Sequence, residues 1–495
     1  VGIRTPLNLS KKNPNCQKSR IDMRKTSLML LLLLLTGSLN AAEQKQPNIL
    51  FIFADDQCFE TLASSGHPVI KTPNLDRLTR QGTTFTHAFN MGSWSGAVCV
   101  ASRCMLNTGR FIWRANAVYR ETGKELEAGR FWSSYLRQAG YHTYMTGKWH
   151  VRADATKAFD TTAHIRGGMP NQVPEGYNRP VNRDDKTWLP YDPKWGGFWK
   201  DGTHWSEVVA DDAIGFLSHS KTEDDPFFMY IAFNAPHDPR QSPKEYVDMY
   251  PLKDVDVPGN FLEEYPFNEA AATGRKLRDE MLAPFPRTEY SVKVNRQEYY
   301  AIITHMDYQI GRILDHLKKT KQDRNTYIIF TADHGLAVGH HGLMGKQNMY
   351  DHSVRVPFVV VGPGVAKDAS NDANIYLQDV MPTTLELAGV EKPEHVEFNS
   401  LLPLLRGKQE ESNYPSVYGA FLESQRSVRA FGYKMILYPS IGKVRLYDLG
   451  KDPQEQNDLA GDDSTAEIQK KLFRELRKLQ VEVGDELDLT EKFSL

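Results

Sequence analysis

Four short apolar runs, rich in β-branched and aromatic residues, each break into a polar cluster, and this pattern narrows the possible folds more than any other feature of the chain. Asn48 to Phe53 leads to Asp55-Asp56, and Tyr141 to Thr146 leads to Gly147-Lys148-Trp149-His150. Phe227 to Phe233 leads to Asn234-Ala235-Pro236-His237, and Tyr327 to Ala332 leads to Asp333-His334-Gly335. A strand without polar alternation must be covered on both faces, the condition met in a parallel sheet flanked by helices. Open α/β sheets bind ligands at the carboxyl ends of their strands, where all four polar clusters fall. The fold class predicted is therefore α/β, with a large, mostly parallel sheet between helices.

Helical signals fill the gaps between these runs. Thr72-Pro73 supplies an N-cap and a first-turn proline ahead of Leu75 and Leu78, and Ile303, Met306, Ile310, Ile313, Leu314 and Leu317 form a stripe at helical spacing. Gly389 stands like a helix stop after Leu385 and Leu387. Residues 151–205 and 253–295 lack periodicity and read as loops that shape a cleft. Beyond about Gly407 the pattern changes to short strands (Val428 to Phe431, Lys434 to Leu437, Val444 to Tyr447) and a terminal helix near Ile468 to Leu479. The expected division is a catalytic α/β domain over residues 46–407 and a smaller α+β domain with an antiparallel sheet over residues 408–495.

The first residues read as an export signal. Met23-Arg24-Lys25 opens a basic region, Leu28 to Leu35 form an apolar core too short to span a bilayer, and Asn40-Ala41-Ala42 offers small residues for cleavage. Residues 1–22 read as an upstream extension and residues 23–42 as the signal peptide, so a periplasmic or secreted protein is expected. No cysteine closely follows the apolar run, so no membrane anchor is expected after cleavage. The formal net charge of −2 gives no reason to expect nucleic acid as a partner. Any anion recognition must come from a local cluster.

The polar clusters, joined by one further motif, carry the chemistry. Adjacent carboxylates at Asp55 and Asp56, past the end of one strand, can both face one cation, and Asp333-His334 repeats the arrangement. Three carboxylates and a neutral donor suit a hard divalent ion such as Ca²⁺, with Mg²⁺ second, better than zinc. Any one of these pairs alone is more often a solvated turn; matched pairs at two strand ends favour a metal. Cys99-Val100-Ala101-Ser102-Arg103, followed by Thr108-Gly109-Arg110, puts a thiol one helical turn before an arginine at a helix start. Beyond the signal region only Cys58, Cys99 and Cys104 occur, so a Cys58–Cys104 bridge would leave Cys99 over. With Lys148, His150, His237 and Lys346 at the same rim, these residues describe a pocket for a tetrahedral oxyanion, sulfate or phosphate.

Together these motifs resemble the type I, formylglycine-dependent sulfatases of the alkaline phosphatase superfamily. The resemblance extends over nearly the whole length beyond the signal region and is carried by Pro47-Asn48-Ile49-Leu50 through Asp55-Asp56, Thr72-Pro73-Asn74-Leu75-Asp76-Arg77-Leu78, Cys99 to Arg103 with Thr108-Gly109-Arg110, Gly147-Lys148-Trp149-His150, Thr331-Ala332-Asp333-His334-Gly335 and Gly345-Lys346. It implies an alkaline phosphatase-like sheet and oxidation of Cys99 to formylglycine (3-oxoalanine) by a maturation enzyme. The hydrated aldehyde is then the nucleophile, and a sulfated hemiacetal the intermediate. It further implies Asp55, Asp56, Asp333, His334 and the modified Cys99 as Ca²⁺ ligands, and Arg103 as the group orienting the formylglycine. Lys148, His237 and Lys346 bind sulfate, His150 acts in hemiacetal breakdown, and His237 protonates the departing alcohol. The chain departs from the common pattern at Ala101, where proline is usual, and at His334, where asparagine is usual.

Export and long loops favour a sulfated glycan as substrate, with Trp94, Arg114, His204, Trp205 and Arg240 as candidate specificity residues. Two other readings stand beside this one. A phosphodiesterase or phosphonate monoester hydrolase of the same superfamily needs a similar pocket, and a glycan-binding pseudoenzyme would keep Cys99 as a thiol.

Overall fold

The computed structural model describes residues 45–168 and 173–493. The export signal and the upstream extension lie outside the described residues. Among the described residues, the main sheet has nine strands. Its principal members are β1 (Asn48–Ala54), β2 (Thr83–Phe89), β3 (His142–Lys148), β4 (Thr161–Arg166), β5 (Phe227–Ala232), β6 (Thr326–Ala332), β7 (Phe358–Val361) and β8 (Ala369–Tyr376).

The four apolar runs of the sequence are the four central strands, side by side in the order β6-β1-β5-β3 and all parallel. Register is tight: Phe51 sits opposite both Tyr230 and Ile329. Ile49 to Ala54 and all of β5 and β6 are buried, which accounts for the absence of a polar alternate face. The edges differ from the centre. β7 runs antiparallel to β6 and to β2, and β8 pairs parallel with β2. β4 extends the other edge from within residues 151–205, a stretch expected to be irregular. Its Thr-Thr-Ala-His-Ile-Arg sequence is half exposed and carries no continuous apolar run, because an edge strand next to a loop needs burial on one side only.

The helices that place the site are α1 (Pro73–Gln81), α2 (Val98–Thr108), α3 (Trp205–Ser220), α4 (Glu289–Lys319), α5 (Val380–Leu387) and α6 (Ala466–Val483). Thr72 is the N-cap residue of α1 as expected, yet its side chain makes no cap bond. The first-turn donors are met instead by Asp307 of α4, whose carboxylate accepts from Asn74 N at 3.1 Å and Leu75 N at 2.7 Å. One buried carboxylate thus satisfies the orphan amides and locks two helices together.

A second, five-stranded sheet holds β9 (Val417–Phe421), β10 (Gln425–Ala430), β11 (Tyr433–Tyr438) and β12 (Lys443–Asp448) as an antiparallel meander. Its fifth strand, Gly92–Ser93, comes from the segment just before α2 and pairs parallel with β9. Gly92 has φ of +96°, and a Cβ there would lie 1.9 Å from the Ala420 carbonyl oxygen. Only glycine permits this approach, so the small sheet is stitched to the loop that leads into Cys99. Together these elements form an α/β protein with a large central sheet between helices and a smaller α+β portion behind it.

Candidate active site

Residues from five sheet and helix ends meet at the carboxyl edge of the central strands. Asp55 and Asp56 follow β1, Lys148 ends β3, His237 follows β5, Asp333 and His334 follow β6, Cys99 opens α2, and Lys346 comes from the long loop after β6. All are buried. Asp56 takes a positive φ of 67°, so the two consecutive aspartates leave the strand in a turn and face the same space. The turn is held from below: Tyr299 of α4 donates to the Asp56 carbonyl at 2.6 Å and accepts from Cys58 N at 2.9 Å.

All eleven residues of α2 are buried, and no side chain caps its N-terminus. Cys99 and Arg103 share one face, one turn apart. Arg103 Nε donates to Asp333 Oδ2 at 3.0 Å and Nη1 to the Lys148 carbonyl at 2.8 Å, so it braces β3 and β6 against the thiol-bearing helix. Lys148 pairs with Asp55. Lys346 Nζ reaches Asp56 Oδ1 and Oδ2 at 2.9 and 2.8 Å, His237 Nε2 at 3.0 Å and Cys99 Sγ at 3.8 Å.

Charge crowding sets the protonation of each group. Burial, then the neighbouring Asp333, pushes Asp55 well above the usual carboxylate range even though Lys148 opposes them. Burial acts on Asp56 in the same sense, but His237, Lys346 and His334 overcome it and hold that carboxyl well below the range. Burial would raise the Cys99 thiol, yet Lys148, Lys346 and His334 bring it well below its ordinary value. The start of a helix beside Lys148 and Lys346 is the electropositive setting that favours thiolate over thiol. His150 lies beside Cys99 and takes a positive φ of 53°.

His334 has two distinct ring nitrogens. Nδ1 lies 2.9 Å from the Gly335 carbonyl, which can only accept, so Nδ1 carries the proton. Nε2 faces Asp56 Oδ1 at 3.2 Å, Cys99 Sγ at 3.4 Å and Asp333 Oδ1 at 3.6 Å; burial lowers the ring's pKa, but Asp333 and Asp56 outweigh it and raise the pKa to about 8, so this nitrogen becomes a donor to a cation on losing its proton. Ligand atoms of Asp55, Cys99, Asp333 and His334 all lie within 4.8 Å of one another, as do those of Asp55, Asp56, Cys99 and His237. Asp55 Oδ1 is buried and accepts no hydrogen bond. Three carboxylates, one with an oxygen that accepts no hydrogen bond, and an imidazole nitrogen could together hold a hard divalent cation, and the backbone bond at Nδ1 leaves Nε2 as the nitrogen of His334 that faces the site.

His237 Nδ1 sits 2.8 Å from the Asp238 carbonyl and 3.2 Å from Asp238 Oδ1, leaving Nε2 toward the centre. Burial lowers its pKa, but Asp56 and Asp238 outweigh this and raise it above the ordinary histidine value. Asp238 and Tyr299 went unread in the sequence. Asp238 could have been suspected from its place after His237, whereas Tyr299 lies inside an apolar helical stretch that gives no signal.

The specificity candidates separate. Trp94 packs on the core of the smaller sheet beside Tyr119, and Arg114 pairs with Glu397 and donates to the Glu482 carbonyl at 2.8 Å, on α6. His204 caps α3 through Ser206 N at 3.1 Å and donates to the Gln241 carbonyl at 2.8 Å. Trp205 lies under the Arg166 guanidinium, 4.1 Å from ring centre to cation. The structure thus places these four in structural contacts, while Arg240 is buried on the loop that carries His237. Cys58 and Cys104 are free thiols, with no bridge between them.

Comparison with known proteins gives this arrangement its class. Residues 47–390 match the sulfatase family model, and residues 339–482 match the model for the C-terminal part of N-sulphoglucosamine sulphohydrolase. The chain belongs to the sulfatase family, and its activity is hydrolysis of sulfuric esters. It is 27% identical to an N-acetylglucosamine-6-O-sulfatase of Bacteroides thetaiotaomicron, over 90% of this chain and 88% of that one. It is 29% identical to an arylsulfatase of Clostridium perfringens, over 87% and 94% of the two chains. An ulvan-active sulfatase of Formosa agariphila is 26% identical, over 96% and 91%. The fold is shared with a protein solved in complex with its substrate D-glucosamine-2-N,6-O-disulfate (TM-score 0.68, 24% identity, 89% and 99% covered). It is also shared with a phosphonate monoester hydrolase of Agrobacterium radiobacter (TM-score 0.67, 23% identity, 88% and 96% covered).

Proposed function

We propose that this chain is an exported carbohydrate sulfatase that acts through a formylglycine made from Cys99, with Ca²⁺ held by Asp55, Asp56, Asp333, His334 and the modified Cys99. The observation that carries the reading is the placement of Cys99: a buried thiol at the start of α2, 3.8 Å from Lys346 Nζ and 3.4 Å from His334 Nε2, among three carboxylates. The relatives that act on N-acetylglucosamine and ulvan support a sugar substrate. A hydrated aldehyde at position 99 would supply two hydroxyls, one as nucleophile and one whose deprotonation allows sulfate to leave, and a cation held by these residues would supply positive charge.

The chain's own residues do the rest. Lys148 and Lys346 draw the sulfate ester into the centre and offset charge on its non-bridging oxygens. Arg103 holds the α2 start against Asp333 and β3. His150, beside Cys99, receives the proton of the second hydroxyl. His237, whose Nδ1 proton is held by Asp238, delivers a proton from Nε2 to the departing sugar oxygen, which is a poor leaving group as an alkoxide.

Mass spectrometry of the peptide containing Cys99, from a host with the maturation enzyme, tests the modification: conversion of thiol to aldehyde removes about 18 Da. An unmodified, inactive protein would favour the pseudoenzyme reading. The fold is shared with a phosphonate monoester hydrolase, so turnover of aryl sulfate, sulfated saccharide and phosphodiester is to be compared directly. A preference for the phosphodiester by several orders of magnitude would end the sulfatase mechanism proposed here.

A further inference from the structure

Arg103, Arg240, Arg287 and Arg426 are among the largest fully buried side chains. Three of them have carboxylate partners: Arg103 donates to Asp333, Arg287 to Glu280 and Arg426 to Asp485. Arg240 has none. Its Nη1 reaches the neutral Asn295 Oδ1 at 3.3 Å, its guanidinium lies 5.3 Å from the centre of the Tyr299 ring, and its Nε and Nη2 have no hydrogen-bond acceptor. Glu298, next to Tyr299, is taken by Arg179. Among the described residues no carboxylate lies within ion-pairing distance of Arg240. Burying a guanidinium without a directly paired carboxylate is costly, and a bound anion would offset that cost.

The position of Arg240 links it to the reaction. It follows His237-Asp238-Pro239 on the loop after β5, and the Tyr299 ring beneath it is the one whose hydroxyl holds the Asp56 carbonyl at 2.6 Å. The same loop carries two more buried polar atoms without partners, Asn234 Oδ1 and Gln241 Nε2. The residues on either side of Arg240 pack against loops. Gly176 lies against Pro239 so closely that a Cβ there would stand 2.7 Å from the proline Cβ. Ser242 N bonds to the Pro190 carbonyl at 3.3 Å, and Phe198 N bonds to Gln241 Oε1 at 2.7 Å.

We propose that Arg240 binds a second anionic group of the substrate, a carboxylate or a further sulfate, next to the ester that is cleaved. The proposal rests on the sulfated-carbohydrate reading above and narrows it: the preferred substrate unit is at least doubly anionic. A planar oxyanion accepts two parallel bonds from the guanidinium fork, so Nε and Nη2 are the pair such a group would engage.

The test compares three saccharides of equal length: one monosulfated and otherwise neutral, one monosulfated with a uronic acid carboxylate, and one disulfated. Wild-type protein is expected to prefer one of the doubly anionic substrates by at least about tenfold in kcat/KM, which also tells carboxylate from sulfate. In Arg240→Gln that preference is expected to collapse, mainly through KM, and Arg240→Lys is expected to restore part of it. Equal kcat/KM for all three saccharides in the wild-type protein overturns the proposal even if a variant fails to fold. So does loss in Arg240→Gln that is equal across the three. If wild-type protein cleaves aryl sulfate and none of the saccharides, the sugar reading itself fails, an outcome distinct from either.

Discussion

Two buried charge clusters in this protein show opposite designs. One lies around Asp351, where the segment after β6 meets the smaller sheet. There Asp351 Oδ1 accepts from Lys434 at 2.8 Å, Oδ2 from Arg429 at 2.9 Å, and Arg355 stands at 3.5 Å. Glu455 joins through the Asp351 backbone at 2.8 Å and through Lys434 at 2.8 Å. Every Asp351 oxygen has a cationic partner. In the other, around Cys99, Lys148 holds Asp55 through Oδ2, but Asp55 Oδ1 accepts no hydrogen bond, Arg103 Nη2 stands 4.0 Å from it, and that nitrogen is itself without a hydrogen-bond partner. The first cluster pairs both oxygens of its central carboxylate and holds two sheets together; the second leaves Asp55 Oδ1 and Arg103 Nη2 without hydrogen-bond partners. Unpartnered polar atoms, more than burial or charge count, mark the functional cluster here.

Replacing the nucleophile should separate the two clusters most sharply. Cys99→Ala is expected to lower turnover by at least about 10⁴-fold with little change in melting temperature, since loss of a catalytic nucleophile removes the covalent route entirely. Turnover assays beside thermal melts check it, and retained hydrolysis would dismantle the site as assigned. His237→Ala comes next. Loss of a general acid costs on the order of 10²- to 10⁴-fold, and the loss should appear with alkyl sugar sulfates and be much smaller with activated aryl sulfates. Equal losses on both substrates would remove His237 from the acid role.

The Asp351 cluster should respond in the opposite currency, stability. Asp351→Asn leaves the partly buried Arg429 without its carboxylate and Lys434 with Glu455 alone, and is expected to cost up to about 3–5 kcal/mol, measured by denaturant unfolding. The same group predicts the direction of acid sensitivity. Burial would raise the Asp351 pKa, but Lys434, Arg429 and Arg355 hold it far below the usual range. Its contribution to stability is therefore complete above the unfolded-state value near 4 and is lost as pH falls below it. A pH series of unfolding free energies should show this decline in wild-type protein and a flatter acid limb in Asp351→Asn. The smallest effect is expected from Arg114→Ala, which breaks a half-exposed pair with Glu397 and should cost less than about 1 kcal/mol with kcat/KM unaltered. A large change in KM would return Arg114 to the substrate cleft.

Much of this was legible in the chain because parallel strands advertise themselves. A strand buried on both faces must be apolar throughout, and the polar residues after it mark its ligand-binding end, so β1, β3, β5 and β6 and the residues they deliver were readable from local pattern. The edge strands were not, since one-sided burial leaves a mixed sequence such as that of β4. The specificity residues were least legible. Tryptophan, histidine and arginine suit a sugar cleft and a packed interior equally well, and only contacts such as the His204 cap of α3 or the Arg114 tie to α6 tell the two apart.

The sequence alone determined the central strands and the strand ends that bear the acids and bases, because each of these follows from residue type within a few positions, and its resemblance to the sulfatases singled out Cys99. Tertiary structure alone decided which valences are satisfied. That both Asp351 oxygens are paired, that Asp55 Oδ1 accepts no hydrogen bond, that His334 turns its Nε2 toward the thiol, and that Arg240 is buried without a carboxylate partner all depend on partners up to hundreds of residues away, brought close only by the folded sheet and its loops.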